Sequence, residues 1–212
     1  MRTKPVTTIT AAALAVLAIA PAAIAATLTG TDNPERLVGT RVADTISAAG
    51  GNDRVFALAG DDSIDAGTGN DLVVAGPDND TADGGSGNDQ VFAGAGIDTI
   101  RGGEGNDRLW AMARVDVKAD DPSADTVDGG AGDDRIMTRD GEADSVSCGE
   151  GSDRAILDNQ DVIADATAES PNGSCETVVR AEPRARDADT VQEKAMERLA
   201  DLAARWKARF GR

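Results

Sequence analysis

Large apolar residues recur through the middle of the chain every nine positions: Ile46, Val55, Ile64, Val73, Val91, Ile100, Leu109, Val127 and Ile136. Each is the centre of an x-U-x tripeptide, with U the apolar residue, so the pattern predicts very short strands, each with that side chain pointing inward. Two residues before each apolar position stands an acid. Asp occupies positions 44, 53, 62, 71, 80, 89, 98, 107, 116, 125 and 134, and Glu35 extends the register one step back. Glycine keeps the same time at 51, 60, 69, 87, 96, 105 and 132, with Asn or Asp often between glycine and acid. Glycine permits the positive φ of tight turns, so the pattern alternates turn and strand.

The two ends of the chain follow other rules. Arg2 and Lys4 precede an apolar run from Ile9 to Ala20, Pro21 breaks it, and Ala23-Ile24-Ala25 has the A-x-A form of a cleavage site. This predicts a secretory signal peptide over residues 1–25. A membrane anchor fits less well, because the run is shorter than the roughly 20 residues a span needs. At the other end, residues 181–212 lack glycine up to Phe210, and Val191, Ala195, Leu199, Leu202, Trp206 and Phe210 recur at spacings of three and four. That is one face of an amphipathic helix, with Asp187 or Asp189 at its start and basic residues in its last turns. Its apolar face either covers an end of the main domain or offers Trp206 and Phe210 to a surface or partner.

Charge divides the chain in the same places. The net charge is -17, and residues 26–180 hold 32 acids against 11 bases, a local net of -21. So acidic a chain is a poor partner for nucleic acid and a good one for cations. There is no histidine, which removes Ser-His-Asp and Cys-His catalysis and the HExxH zinc site. The two cysteines, Cys148 and Cys175, sit in a chain read as exported, where they are expected to pair.

Three segments carry a fuller motif: Gly84-Gly85-Ser86-Gly87-Asn88-Asp89-Gln90-Val91-Phe92, Gly102-Gly103-Glu104-Gly105-Asn106-Asp107-Arg108-Leu109-Trp110 and Gly129-Gly130-Ala131-Gly132-Asp133-Asp134-Arg135-Ile136-Met137. Copies at 66–74 and 93–101 differ by Ala for the first Gly, and those at 48–56, 57–65 and 75–83 are more degenerate. The motif resembles the nonapeptide of RTX (haemolysin-type) calcium-binding proteins, G-G-x-G-x-D-x-U-x with U a large apolar residue. The resemblance implies an all-β, right-handed parallel β-roll over residues 26–180, ahead of the C-terminal α-helix over 181–212. It implies 18 residues per turn and Ca²⁺ held between loops of successive turns by hard oxygen ligands. Asp53, Asp71, Asp89 and Asp107 would then stack on one side, and Asp44, Asp62, Asp80 and Asp98 on the other. Four loops per side leave three gaps, hence about six ions. The implied ligand set comprises Asp53, Asp62, Asp71, Asp80, Asp89, Asp98, Asp107 and Asp134, with Gly69, Gly85, Gly87, Gly103 and Gly105 as turn formers and secondary carbonyl donors.

The repeat falters in places. Ala82 stands where a large apolar residue is due, and Pro77-Asp78 replaces x-Gly in the same copy. Glycine vanishes between Trp110 and Ala124, so Asp116 is read as lying in an excursion, and Asp107 to Asp125 as one 18-residue turn on one side. One residue is inserted after Ile136, and the register resumes at Asp144 and Asp153. A Cys148–Cys175 bridge would staple the last part of the roll, and Cys175–Val179 is read as its final strand.

The expected function is that of a secreted, extracellular calcium-binding protein without catalysis, in a structural or adhesive role, folding when it meets calcium. Two alternatives stand beside it. One is a membrane- or surface-active, toxin-like accessory protein that uses the C-terminal helix to contact a membrane, cell surface or protein partner. The other is a polysaccharide-modifying enzyme working with carboxylates alone.

Overall fold

A strand of three residues pairs stably only if many such strands stack in register. The computed structural model describes residues 8–10, 24–111 and 124–181, and it shows that stack. The strands are β1 Thr8–Thr10, β2 Thr27–Thr29, β3 Arg36–Val38, β4 Thr45–Ser47, β5 Arg54–Phe56, β6 Ser63–Asp65, β7 Leu72–Pro77, β8 Thr81–Ser86 and β9 Gln90–Ala95. They continue with β10 Thr99–Glu104, β11 Arg108–Trp110, β12 Thr126–Ala131, β13 Arg135–Met137, β14 Ser145–Ser147, β15 Arg154–Leu157, β16 Val162–Ile163 and β17 Thr177–Arg180.

From β2 onward, successive strands alternate between two parallel sheets. One runs β1-β2-β4-β6-β8-β10-β12-β14-β16, the other β17-β15-β13-β11-β9-β7-β5-β3. Partners lie 18 residues apart over the regular part, as in Ile46↔Ile64 and Val73↔Val91. The molecule is therefore a parallel β-solenoid with two strands per turn. β1 adds a rung beside β2, within the segment read as a signal peptide. No helix occurs among the described residues, and the amphipathic helix expected beyond residue 181 lies outside them.

Two columns of side chains fill the space between the sheets. Every apolar residue of the nine-residue series, from Ile46 to Ile136, is buried. Ala82 is buried in the same column, so its copy keeps the inward direction with a smaller side chain. Alternation puts the residue two positions further on inside as well. That is the first residue of the next repeat, and Ala48, Ala57, Ala66, Ala75, Ala93 and Ala111 occupy it, all buried. Alanine there is a core residue with a methyl to pack, and Thr138, Cys148 and Leu157 fill the same column in the last turns.

The excursion corrects one expectation. Arg101 pairs with Asp128 and Leu109 with Ile136, so this turn takes 27 residues, nine more than a regular one. Asp125 consequently stacks on Asp98 rather than Asp107, whose partner is Asp134. The clock of nine survives because this turn is longer by one repeat's length. Asp116 falls among the residues not described. The single insertion after Ile136 gives the expected 19-residue steps, Asp125 to Asp144 and Asp134 to Asp153.

The outer faces of the two sheets differ. On the odd-numbered sheet the residue after the inward one is Val38, Phe56, Val74, Phe92, Trp110 and Met137 in turn. Phe56, Val74 and Phe92 form a second buried cluster against Val38, Leu72 and Trp110, and the Phe92 and Trp110 rings stack with centroids 4.2 Å apart. The corresponding positions of the even-numbered sheet are Thr29, Ser47, Asp65, Asp83, Arg101 and Asp128, a polar surface. The Cys148–Cys175 disulfide is formed. It ties the loop after β14 to the entry of β17, the final strand, which pairs with β15.

Candidate metal centre: two aspartate ladders

Each repeat's Asp comes just before its strand, at the end of a turn that in most copies passes through glycine, and the carboxyl points along the stack. Its Oδ1 accepts a hydrogen bond from the backbone amide of the corresponding acid one turn earlier. On one side Glu35 donates to Asp53 (2.7 Å), Asp53 to Asp71 (2.6 Å), Asp71 to Asp89 (2.8 Å), Asp89 to Asp107 (2.8 Å) and Asp107 to Asp134 (2.8 Å). On the other, Asp44 donates to Asp62 (2.7 Å), Asp62 to Asp80 (2.8 Å) and Asp80 to Asp98 (2.7 Å). All eight expected aspartates thus fall in two continuous ladders, Asp134 joining that of Asp53. The first ladder continues through Asp153 to Glu176, whose Oε2 accepts the Asp153 amide at 2.6 Å.

The second carboxylate oxygen is what makes these ladders a candidate site. Oδ2 of Asp53, Asp62, Asp71, Asp80, Asp89, Asp107 and Asp134 is buried and has no hydrogen-bond partner. A buried carboxylate oxygen without a donor is costly unless a cation completes it. The chain supplies its own comparison. At the N-terminal end Asp44 Oδ2 accepts the Thr40 amide and Oδ1 the Thr40 hydroxyl, and Thr31 serves Glu35 in the same way. Where the loop carries threonine in place of the second glycine, the protein satisfies the acid itself; in the glycine-rich loops it does not.

Carbonyl oxygens converge on the same places. A Cβ built on Gly84 would lie 2.7 Å from Asp89 Oδ2 and 2.6 Å from the Gly102 carbonyl oxygen. Gly102 is likewise placed against Asp107 Oδ2 and the Gly129 carbonyl, and Gly129 against Asp134 Oδ2 and the Cys148 carbonyl. The missing methyl leaves room bordered by a carboxylate and a peptide oxygen, the hard donors calcium prefers. Sequence reasoning missed these first glycines as site residues; the signal was their inward place in the strand alternation.

The expected turn glycines do a different job. Gly69, Gly87 and Gly105 form one column and Gly85 and Gly103 another, all with φ between 94° and 130°. A Cβ on Gly87 would run into the Gly69 carbonyl, and one on Gly105 into that of Gly87. They set the shape and closeness of the stack. Degenerate copies keep that conformation without glycine, with φ of 74° at Ala49, 89° at Leu58 and 81° at Asp78.

The electrostatics of the ladders suit a cation. Burial first, then neighbouring carboxylates, push Asp62 and Asp71 up to about 6, Asp89 and Asp134 to about 7 and Asp80 to about 8. The ladder hydrogen bond from the preceding amide works against the rise but does not cancel it. A divalent ion between the loops offsets both causes.

Residues 29–64, 47–82, 57–91, 65–99, 83–113 and 121–143 match the RTX calcium-binding nonapeptide repeat, whose profile spans four copies. No curated protein and no solved structure matches the chain. The matched segments cover half of the sequence, and they coincide with the loops whose buried carboxylates lack a donor. The chain belongs to the RTX calcium-binding nonapeptide repeat family.

Proposed function

We propose that this protein is exported by its N-terminal signal peptide and folds outside the cell by binding calcium, where it serves as a structural or adhesive module without catalytic activity. The row of buried Oδ2 atoms with no donor carries this reading. Without cations, a region of net charge -21 would hold those carboxylates in a narrow stack with few large apolar residues to offset the repulsion and the chain entropy. Each calcium ion neutralises two charges and links successive turns, so its binding free energy becomes folding free energy. Extracellular modules bind calcium at about 10⁻⁴–10⁻³ M, which keeps such a chain open in calcium-poor cytosol and closes it after export.

In this reading about six ions lie between the loops, three along each ladder, and bind through Asp side chains and glycine carbonyls. The absence of histidine fits a role in which the carboxylates hold ions rather than move protons. Far-UV circular dichroism of the chain from Ala26 onward tests the mechanism. The spectrum is expected to pass from coil to β as calcium rises to the millimolar range, and identical spectra with and without calcium would overturn it.

A further inference from the structure

After Met137 acids also appear outside the nine-residue register. Asp140, Glu142 and Asp144 alternate in one loop, and Asp158 and Asp161 follow before β16. With Asp125 from the preceding turn these six side chains are buried, none more than 5% exposed. Carboxylate oxygens of Asp125, Glu142 and Asp144 lie within 4.8 Å of one another.

Two of the six are engaged in holding the loop. Asp158 Oδ2 accepts the Gly141 amide at 2.7 Å, and Asp161 Oδ2 accepts the Thr138 hydroxyl and the Asp158 amide, both at 2.7 Å. Asp140 and Asp144 each commit one oxygen, Asp140 Oδ1 to the Glu142 amide (3.1 Å) and Asp144 Oδ1 to the Asp125 amide (2.8 Å). Their Oδ2 atoms are buried with no hydrogen-bond partner. Arg180 lies close by but spends Nη1 on the carbonyls of Asp158 and Asp161, and Arg139 is buried in the same loop.

We propose that Asp125, Asp140, Glu142 and Asp144 form a calcium site of a second kind, outside the glycine turns, near the disulfide-tied end of the solenoid. The donors are carboxylate oxygens throughout. Cys148, the sulfur nearest in sequence, is held in the disulfide, so the set suits a hard cation and not zinc or copper. The loop differs from the repeats in offering four charged side chains in place of stacked carbonyls. Calcium affinity rises with the number of charged ligands, so this site should fill before the repeat loops.

The experiment counts calcium bound per full chain by equilibrium dialysis, for the wild type, D140N/E142Q and the repeat variant D71N/D89N. D140N/E142Q is expected to bind one ion fewer and to lose the tightest phase, while D71N/D89N keeps that phase. An unchanged ion count and an unchanged first phase in D140N/E142Q overturn the proposal. Should that double variant not fold, E142Q alone is expected to weaken the tightest step at least tenfold, and an unaltered isotherm overturns the proposal equally. A wild type that binds one ion, lost in D140N/E142Q and kept in D71N/D89N, would support this site even if the repeat loops took none.

Discussion

Replacing Asp89 by Asn separates the two tasks of its carboxylate. Oδ1 accepts the Asp71 amide at 2.8 Å, and an asparagine oxygen can take over that bond. Oδ2, buried and without a donor, becomes an amide nitrogen that neither ligates a cation nor carries charge. A site with a dissociation constant of about 10⁻⁴–10⁻³ M contributes about RT ln(1 + [Ca]/Kd), or about 1.4–2.7 kcal/mol at about 10 mM calcium. Asp89→Asn should therefore lose about that much, which for a domain of this size lowers Tm by roughly 3–11 °C. Asp89→Ala removes the ladder acceptor as well and strands the Asp71 amide, adding about 1–3 kcal/mol. Thermal melts of the three proteins in calcium, followed by circular dichroism, give the comparison. If the Asn variant melts with the wild type and only the Ala variant is destabilised, Asp89 is a ladder acceptor and nothing more, and cation ligation at Oδ2 is refuted.

Two further outcomes follow from the same geometry. Ala49 holds a left-handed φ of 74°, which costs an L-residue about 1–2 kcal/mol against the 0.5–1 kcal/mol that glycine's extra chain entropy returns, so Ala49→Gly should gain up to about 1 kcal/mol. Gly87→Ala should lose more than about 2 kcal/mol, because its methyl meets the Gly69 carbonyl at a φ that L-residues avoid; urea titrations in calcium measure both. The third concerns pH. An unfolded Asp titrates near about 4, whereas folded Asp71 stands at about 6, Asp89 at about 7 and Asp80 at about 8. Between those values the folded, calcium-free chain holds more protons than the unfolded one, so stability falls as pH rises. Circular dichroism in calcium-free buffer should show β-structure kept near pH 4 and lost through about pH 6–8; β-content that grows with pH would contradict the ladder's electrostatics.

The nine-residue series made the strands, the inward column and the aspartate ladders readable, because one side chain per strand must point in and one turn per strand must bend. Four things were hidden for physical reasons. Position one of the repeat reads as a defective glycine in the alanine copies until strand alternation shows it as core. The 27-residue turn preserves the phase of nine, so Asp125 looks continuous with Asp107 although it stacks on Asp98. In the acid group from Asp125 to Asp161, Asp125 and Asp144 keep the ladder register, whereas Glu142 lies outside it and only folding brings it beside them. Glu176 closes a ladder with the longer acid, a substitution that spacing alone does not reveal.

The unlike outer faces constrain how such a chain can change length. Phe56, Phe92 and Trp110 return to the apolar face because they lie 36 and 18 residues apart, whole multiples of one turn, while nine-residue steps alternate faces. Loss or duplication of a single nonapeptide would transfer every later residue to the opposite sheet and set aromatic rings among Asp65, Asp83 and Asp128. A change of length that keeps the faces therefore comes in pairs of repeats, and a single extra one keeps the pairing only when it lengthens one turn, as the 27-residue step from Arg101 to Asp128 does. The structural unit of length change is the whole turn, even though the unit of sequence is half of it.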